Sequence, residues 1–134
     1  MARDVPHDDD RVIALHLDDV PAREERGASI RVVISPKTTG RANYILGQAE
    51  LPPGGIDEAH AHDYGEETIF VLDGEGVLDA HGEKFELKPG SCLFIPRGVV
   101  HSVHNTGDRP LVAVFANGPL APRPELGHRA VNEG

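Results

Sequence analysis

The chain has 134 residues, 39% of them hydrophobic, and 13 Lys and Arg against 22 Asp and Glu give a formal net charge of -9. A chain of this length is expected to form one domain around one core, burying about two-thirds of its unfolded surface. The negative balance repels nucleic-acid phosphates and anionic headgroups, no apolar run approaches the roughly 18 residues of a spanning helix, and Met1 to Asp10 lacks the apolar stretch of a secretory signal, so neither nucleic acid nor membrane is an expected partner and the expected location is cytoplasmic.

Residues 1–28 read as a charged N-terminal arm. Asp8, Asp9 and Asp10 make a solvated acidic run, and Val12 to Leu17 is a candidate edge strand for the same molecule or for a partner subunit. His7 and His16 have no ligand-like spacing. From Ile30 onward, apolar runs bounded by turn signals predict strands at Ile30 to Ser35, Ala42 to Leu51, Thr68 to Leu72, Gly76 to Ala80, Lys84 to Leu87, Ser91 to Ile95, Ser102 to His104 and Leu111 to Ala116. No segment carries a convincing helical period.

The turns carry specific chemistry. Pro52-Pro53-Gly54-Gly55 cannot continue a ladder, because proline lacks the donor and glycine accepts positive φ. Asp73-Gly74, His81-Gly82 and Pro89-Gly90 read as tight hairpins joining antiparallel neighbours, and Asn105 to Asp108 turns the chain toward Leu111. After Ala116, Gly, Pro, Arg and Glu dominate, so residues 118–134 are expected to be an irregular tail with an inert His128, leaving 29–117 as the barrel. Cys92 is the sole cysteine, which rules out an internal disulfide, and its neighbours Leu93, Phe94 and Ile95 suggest a small apolar filler.

The chemistry concentrates between Gly54 and Asn105. On a strand, His60 and His62 point to the same face and can share one ion. Glu67 has the wrong phase for a continuous strand unless Asp63-Tyr64-Gly65 bends the chain; if it points inward, Ile69 and Val71 follow it and Phe70 and Leu72 face out. His101 follows the rigid turn Pro96-Arg97-Gly98. Three neutral imidazoles and a carboxylate suit Mn²⁺, Fe²⁺, Co²⁺, Ni²⁺ or Zn²⁺. His104, three residues past His101, should face the opposite side, and His81 should be exposed in its turn.

These residues fill two motifs without a mismatch, G(X)5HXH(X)3,4E(X)6G at Gly54, His60, His62, Glu67 and Gly74, and G(X)5PXG(X)2H(X)3N at Gly90, Pro96, Gly98, His101 and Asn105. In this the chain resembles the cupins. The resemblance implies an all-β fold, a single-domain antiparallel jelly-roll barrel, with His60, His62, Glu67 and His101 as ligands of one divalent ion, Mn or Fe favoured, in a homodimer. The spacing to Gly74 selects Glu67 over its neighbour Glu66.

A +2 ion on one carboxylate leaves a local charge near +1, which favours an anionic or oxygen-rich small molecule. The resemblance therefore points to a metal-dependent enzyme of dioxygenase, decarboxylase, lyase or isomerase type acting on a small carboxylate, enolate or hydroxy-carbonyl substrate. The alternative is a non-catalytic sensing module working through a partner. A metal-independent sugar isomerase is disfavoured by the full ligand set. Catalytic residues are not assigned; Glu66 and Tyr64 are candidate proton shuttles, and Arg31, Arg41, Tyr44 and Gln48 are candidate substrate anchors.

Overall fold

A computed structural model describes residues 10–131; His7, Asp8 and Asp9 lie outside the described residues. Eleven strands are described: β1 (Arg23–Glu25), β2 (Ala28–Ile34), β3 (Ile45–Leu51), β4 (Ile56–Ala61), β5 (Glu66–Asp73), β6 (Gly76–Ala80), β7 (Glu83–Leu87), β8 (Cys92–Ile95), β9 (His101–Asn105), β10 (Leu111–Gly118) and β11 (Arg129–Ala130). They form a six-stranded sheet in the order β1-β2-β3-β10-β5-β8 and a five-stranded sheet in the order β11-β4-β9-β6-β7. All the described pairings are antiparallel.

The chain passes repeatedly from one sheet to the other, which makes the fold a jelly roll. Among the described residues, two tight turns are hairpins within one sheet, Arg26-Gly27 between β1 and β2 and His81-Gly82 between β6 and β7. His81 and Gly82 have φ of 52° and 76°, the left-handed pair that a two-residue turn of type I′ requires. The expectation that Asp73-Gly74 and Pro89-Gly90 also join neighbouring strands is corrected here. β5 and β8 lie in the six-stranded sheet, whereas β6 and β7 lie in the other, so both turns are corners between sheets. A left-handed residue serves a corner as well as a hairpin. At Gly74 (φ 87°) the corner is pressed so close to β10 that an added Cβ would overlap the Pro110 carbonyl.

Strand alternation places the core. On β5, Val71 is 1% exposed while Phe70 and Leu72 are 43% and 50% exposed, the expected phase. Ala28, Ile30, Leu51, Leu78, Leu87, Ile95, Val103, Leu111 and Phe115 join Val71 between the sheets. Fully burying a side chain such as Leu78 or Leu87 stabilises the fold by about 1.5–3 kcal/mol.

Several elements differ from the sequence expectation. β4 is not among the predicted strands, because Ile56-Asp57-Glu58-Ala59 has one good β-former and two acids, and a bulge interrupts its pairing with β9. Val12 to Leu17 is not a strand; it leads into a 3-10 turn at Leu17–Asp19 capped by His16, and the edge strand is β1. A single helical turn, α1 (Pro36–Thr39), is set by a capping box, with Thr38 N–H donating to Ser35 Oγ and Ser35 N–H to Thr38 Oγ1, and closed by Gly40 in the left-handed conformation. One turn is too short to show a period. The tail is mostly irregular but supplies β11, which pairs with β4. Among the described residues no helix is long and apolar enough to cross a membrane.

Candidate metal centre

Glu67, His60 and His101 project from three different strands into one end of the barrel. His60 ends the inward run of β4 and lies opposite His101, the first residue of β9. His62 falls just beyond β4, where Gly98 N–H donates to its carbonyl at 2.7 Å. The bend at Asp63-Tyr64-Gly65 then resets the phase so that Glu67 faces inward. Gly65 is required there, since a Cβ would overlap Asn117 Oδ1. His60, His101 and Glu67 are buried, at 2%, 2% and 8% exposure.

The donor atoms of His60, His62, Glu67 and His101 lie within 4.8 Å of one another. Ring centroids are 5.0 Å apart for His60 and His62, 4.3 Å for His60 and His101, and 5.6 Å for His62 and His101. Each imidazole is oriented by a main-chain carbonyl at Nδ1: Glu58 O for His60 (2.7 Å), Val99 O for His101 (3.0 Å) and Gly127 O for His62 (2.8 Å). A carbonyl only accepts, so Nδ1 carries a proton and, in the neutral ring, Nε2 carries a lone pair.

That assignment makes the interior unusual. His101 Nε2 lies 3.0 Å from Glu67 Oε1, and His62 Nε2 lies 3.6 Å from the same oxygen. With the rings neutral and protonated at Nδ1, these are acceptors facing acceptors, and all three atoms are buried without a hydrogen-bond partner. Buried polar atoms are nearly always satisfied, and an uncompensated buried carboxylate is costly. The arrangement calls for a cation among these atoms. A divalent metal ion fits the donor set, and without one a second ring proton is the substitute.

The titration behaviour of the metal-free protein follows the same logic. Burial pushes Glu67 upward, but the His101 and His62 rings outweigh it and hold the carboxyl down to about 2. His62 is pushed down by burial, yet its contact with Glu67 prevails and raises it above the ordinary histidine value. His60 is lowered to about 3, first by burial and then by the Arg26 guanidinium, so it stays neutral and ready to ligate.

Sequence reasoning missed the layer behind His60. Asp57 Oδ1 stands 3.8 Å from His60 Nδ1 and accepts from Arg26 Nε at 3.1 Å, with both side chains largely buried. Burial raises Asp57 to about 6 despite Arg26. No spacing rule links residues 26 and 57; β1–β2 and β4 meet only in the folded chain. Asn117 was likewise unforeseen. It is buried and lies opposite Glu67 in the β10–β5 ladder, so it shares the inner face.

Other candidates stay out of the site. Glu66 is exposed because it alternates with Glu67, and Tyr64 is exposed at the bend. Arg31 pairs with Gln48 on the outer face and donates to Val20 O at 2.7 Å, Arg41 donates to Arg11 O, and Tyr44 lines an open outer groove of about 470 Å³ with Glu66, Thr68 and Phe94. That groove lies on the far side of the sheet from Glu67. The expected anchors therefore hold the arm and the outer surface. His104 is half-buried outside the cluster, His81 is exposed, and Cys92 is exposed on β8, so it does not fill the core. His128 is exposed, and partial desolvation lowers its pKa.

The fold and the two motifs define a class: residues 47–117 match the cupin domain profile, and the chain belongs to the cupin family. Among particular relatives, it is 40% identical to the protein SchB of Streptomyces halstedii over 118 residues, covering 88% of this chain and 84% of that one. It is 32% identical over 126 residues to the tetracenomycin polyketide synthase protein TcmJ of Streptomyces glaucescens, covering 91% and 85%. The crystal structure of the polyketide cyclase RemF from Streptomyces resistomycificus superposes with a TM-score of 0.74 at 26% identity, covering 92% of this chain and 88% of that one.

Proposed function

We propose that this chain is a metal-dependent cupin enzyme whose ion is held by His60, His62, Glu67 and His101, and whose substrate is an enolisable, oxygen-rich compound of the polyketide class. The observation that carries the metal reading is the buried pair His101 Nε2 and Glu67 Oε1, 3.0 Å apart, which face each other as acceptors when the ring is neutral with its proton on Nδ1. The substrate class rests on likeness to TcmJ and RemF, whose names describe polyketide work. A chain of alternating carbonyls is a hydroxy-carbonyl or enolate donor of the kind the site's charge favours, and two neighbouring oxygens suit a chelating site.

A bound divalent ion supplies Lewis-acid polarisation of a carbonyl, which makes the adjacent C–H more acidic. The chain's own residues do the rest. The three Nδ1–H bonds fix the imidazoles so that their lone pairs converge. Half-buried Val32, Ile45, Leu93 and Val99 pack around the core and limit water near a reactive carbon skeleton. Asn117 is buried and shares the inner face opposite Glu67. Mn²⁺ or Fe²⁺ as the ion and a homodimer as the assembly belong to the same reading.

Metal analysis of the purified protein, followed by reconstitution with Mn²⁺, Fe²⁺, Co²⁺, Ni²⁺ or Zn²⁺, tests it directly. The expected result is one ion per chain and metal-dependent consumption of β-dicarbonyl or polyketide-like compounds. A protein that takes up none of these ions would end the metal reading, and a loaded protein inert toward the whole panel would end the enzymatic one.

A further inference from the structure

Of the three imidazoles, two are oriented locally and one is not. His60 and His101 donate to carbonyls two residues earlier in their own chain segments, so the strand that carries the ring also fixes it. His62 lies past the end of β4 and donates to Gly127 O, 65 residues away. The segment bearing Gly127 is itself tied down in three ways. Arg129 forks onto Asp63, the residue after His62, with Nε to Oδ2 at 2.9 Å and Nη2 to Oδ1 at 3.1 Å. Arg129 and Ala130 pair with Ala61 and His60 in the β11–β4 ladder. Val131 N–H donates to Ala59 O at 3.1 Å.

We propose that residues 127–131 are a strap that completes the metal centre: the Arg129–Asp63 latch and the β11 ladder hold Gly127 O against His62 Nδ1, making Asp63, Gly127 and Arg129 positioning residues for His62. The inference rests on the metal reading above. A ligand histidine whose second nitrogen is anchored keeps its tautomer and its aim, and loss of such an anchor typically weakens metal binding by about 10–100-fold. The latch is exposed, and an exposed ion pair contributes little to global stability. A purely structural role therefore predicts small effects everywhere, whereas a positioning role predicts an effect concentrated at the ion.

The test uses the full chain loaded with Co²⁺, whose visible absorption reports ligand geometry, and follows its release into excess chelator. Arg129→Ala is expected to speed release about threefold to tenfold, and Arg129→Ala with Val131→Pro, which also removes the donor to Ala59 O, about 10–100-fold. Arg129→Lys should restore part of the loss, because it keeps the charge but not the fork. The metal-free variants should melt close to the parent. Arg109→Ala is the control. It breaks a comparably exposed pair with Asp73 (2.9 Å) at the other end of β5, six residues and about 20 Å from Glu67. Parent-like cobalt spectra and release rates in both strap variants would overturn the strap while leaving the metal reading intact. Equal acceleration by Arg109→Ala would reduce it to general loosening and also overturn it. A parent chain that binds no cobalt would remove the metal reading and the strap together.

Discussion

At the Asn105 end of the barrel, buried polarity is fully used. Asn105 Nδ2 donates to Leu51 O and Arg109 O, its Oδ1 accepts from Gly107 N–H, and its main chain exchanges bonds with Gly54 and Gly55. At the His60 end, His62 Nε2, His101 Nε2 and Glu67 Oε1 are buried with nothing to satisfy them. The same motifs supply both ends. The difference teaches how to tell a structural polar residue from a candidate ligand: the first has its hydrogen bonds accounted for inside the chain, and the second has an orientation but no partner.

The largest expected effect separates the ends outright. His62→Ala with His101→Ala should weaken metal uptake by at least about a hundredfold, measured by elemental analysis, while circular dichroism retains the β signature, because the ladders do not pass through the ion. Failure of this variant to fold would make the ion structural and break the contrast. Leu87→Ala attacks the other end and should cost about 2–5 kcal/mol in urea unfolding, with the cobalt spectrum of the folded fraction unchanged. Asn105→Ala leaves buried carbonyls unpaired and should cost about 1–3 kcal/mol, again without altering metal uptake.

The smallest effect is in pH. In the metal-free protein His60 is held near 3, whereas the unfolded chain protonates it around 6.5. The unfolded state thus binds the proton first, so stability is lost as pH falls from about 6.5 toward 3. Between pH 7 and 5 the parent should lose on the order of 1–2 kcal/mol more than His60→Gln, read from urea midpoints in chelator. Asp57, raised to about 6, acts with the opposite sign, its contribution fading as pH rises through 6, and it is present in both proteins. Equal slopes in the two would show that His60 is not buried neutral.

Much of the fold and the candidate cluster was legible because local chemistry dictated it. Alternation along Glu67, Ile69 and Val71 set the inward face of β5, and the glycine and proline spacings marked where the chain turns. What those turns connect was not legible. Asp73-Gly74 has the chemistry of a hairpin, and only the packing against Pro110 makes it a corner between sheets. β4 was hidden by its acids, of which Asp57 is explained only by its partner Arg26 from the β1–β2 turn. β1 and β11 are too short and too charged to show alternation, and they owe their existence to the neighbours they pair with. The tether from Gly127 to His62 spans 65 residues and leaves no trace in local pattern.

Cys92 offers a practical consequence of the sheet's two-sidedness. It is the chain's sole thiol, it is exposed, and it pairs with Phe70 on β5, three residues from Ile95, the partner of Glu67. A nitroxide attached there would need no engineered cysteine and would ride about 10 Å along the strand from the level of the candidate metal cluster. Line broadening on addition of Mn²⁺ would then report occupancy of the barrel interior from its outside wall.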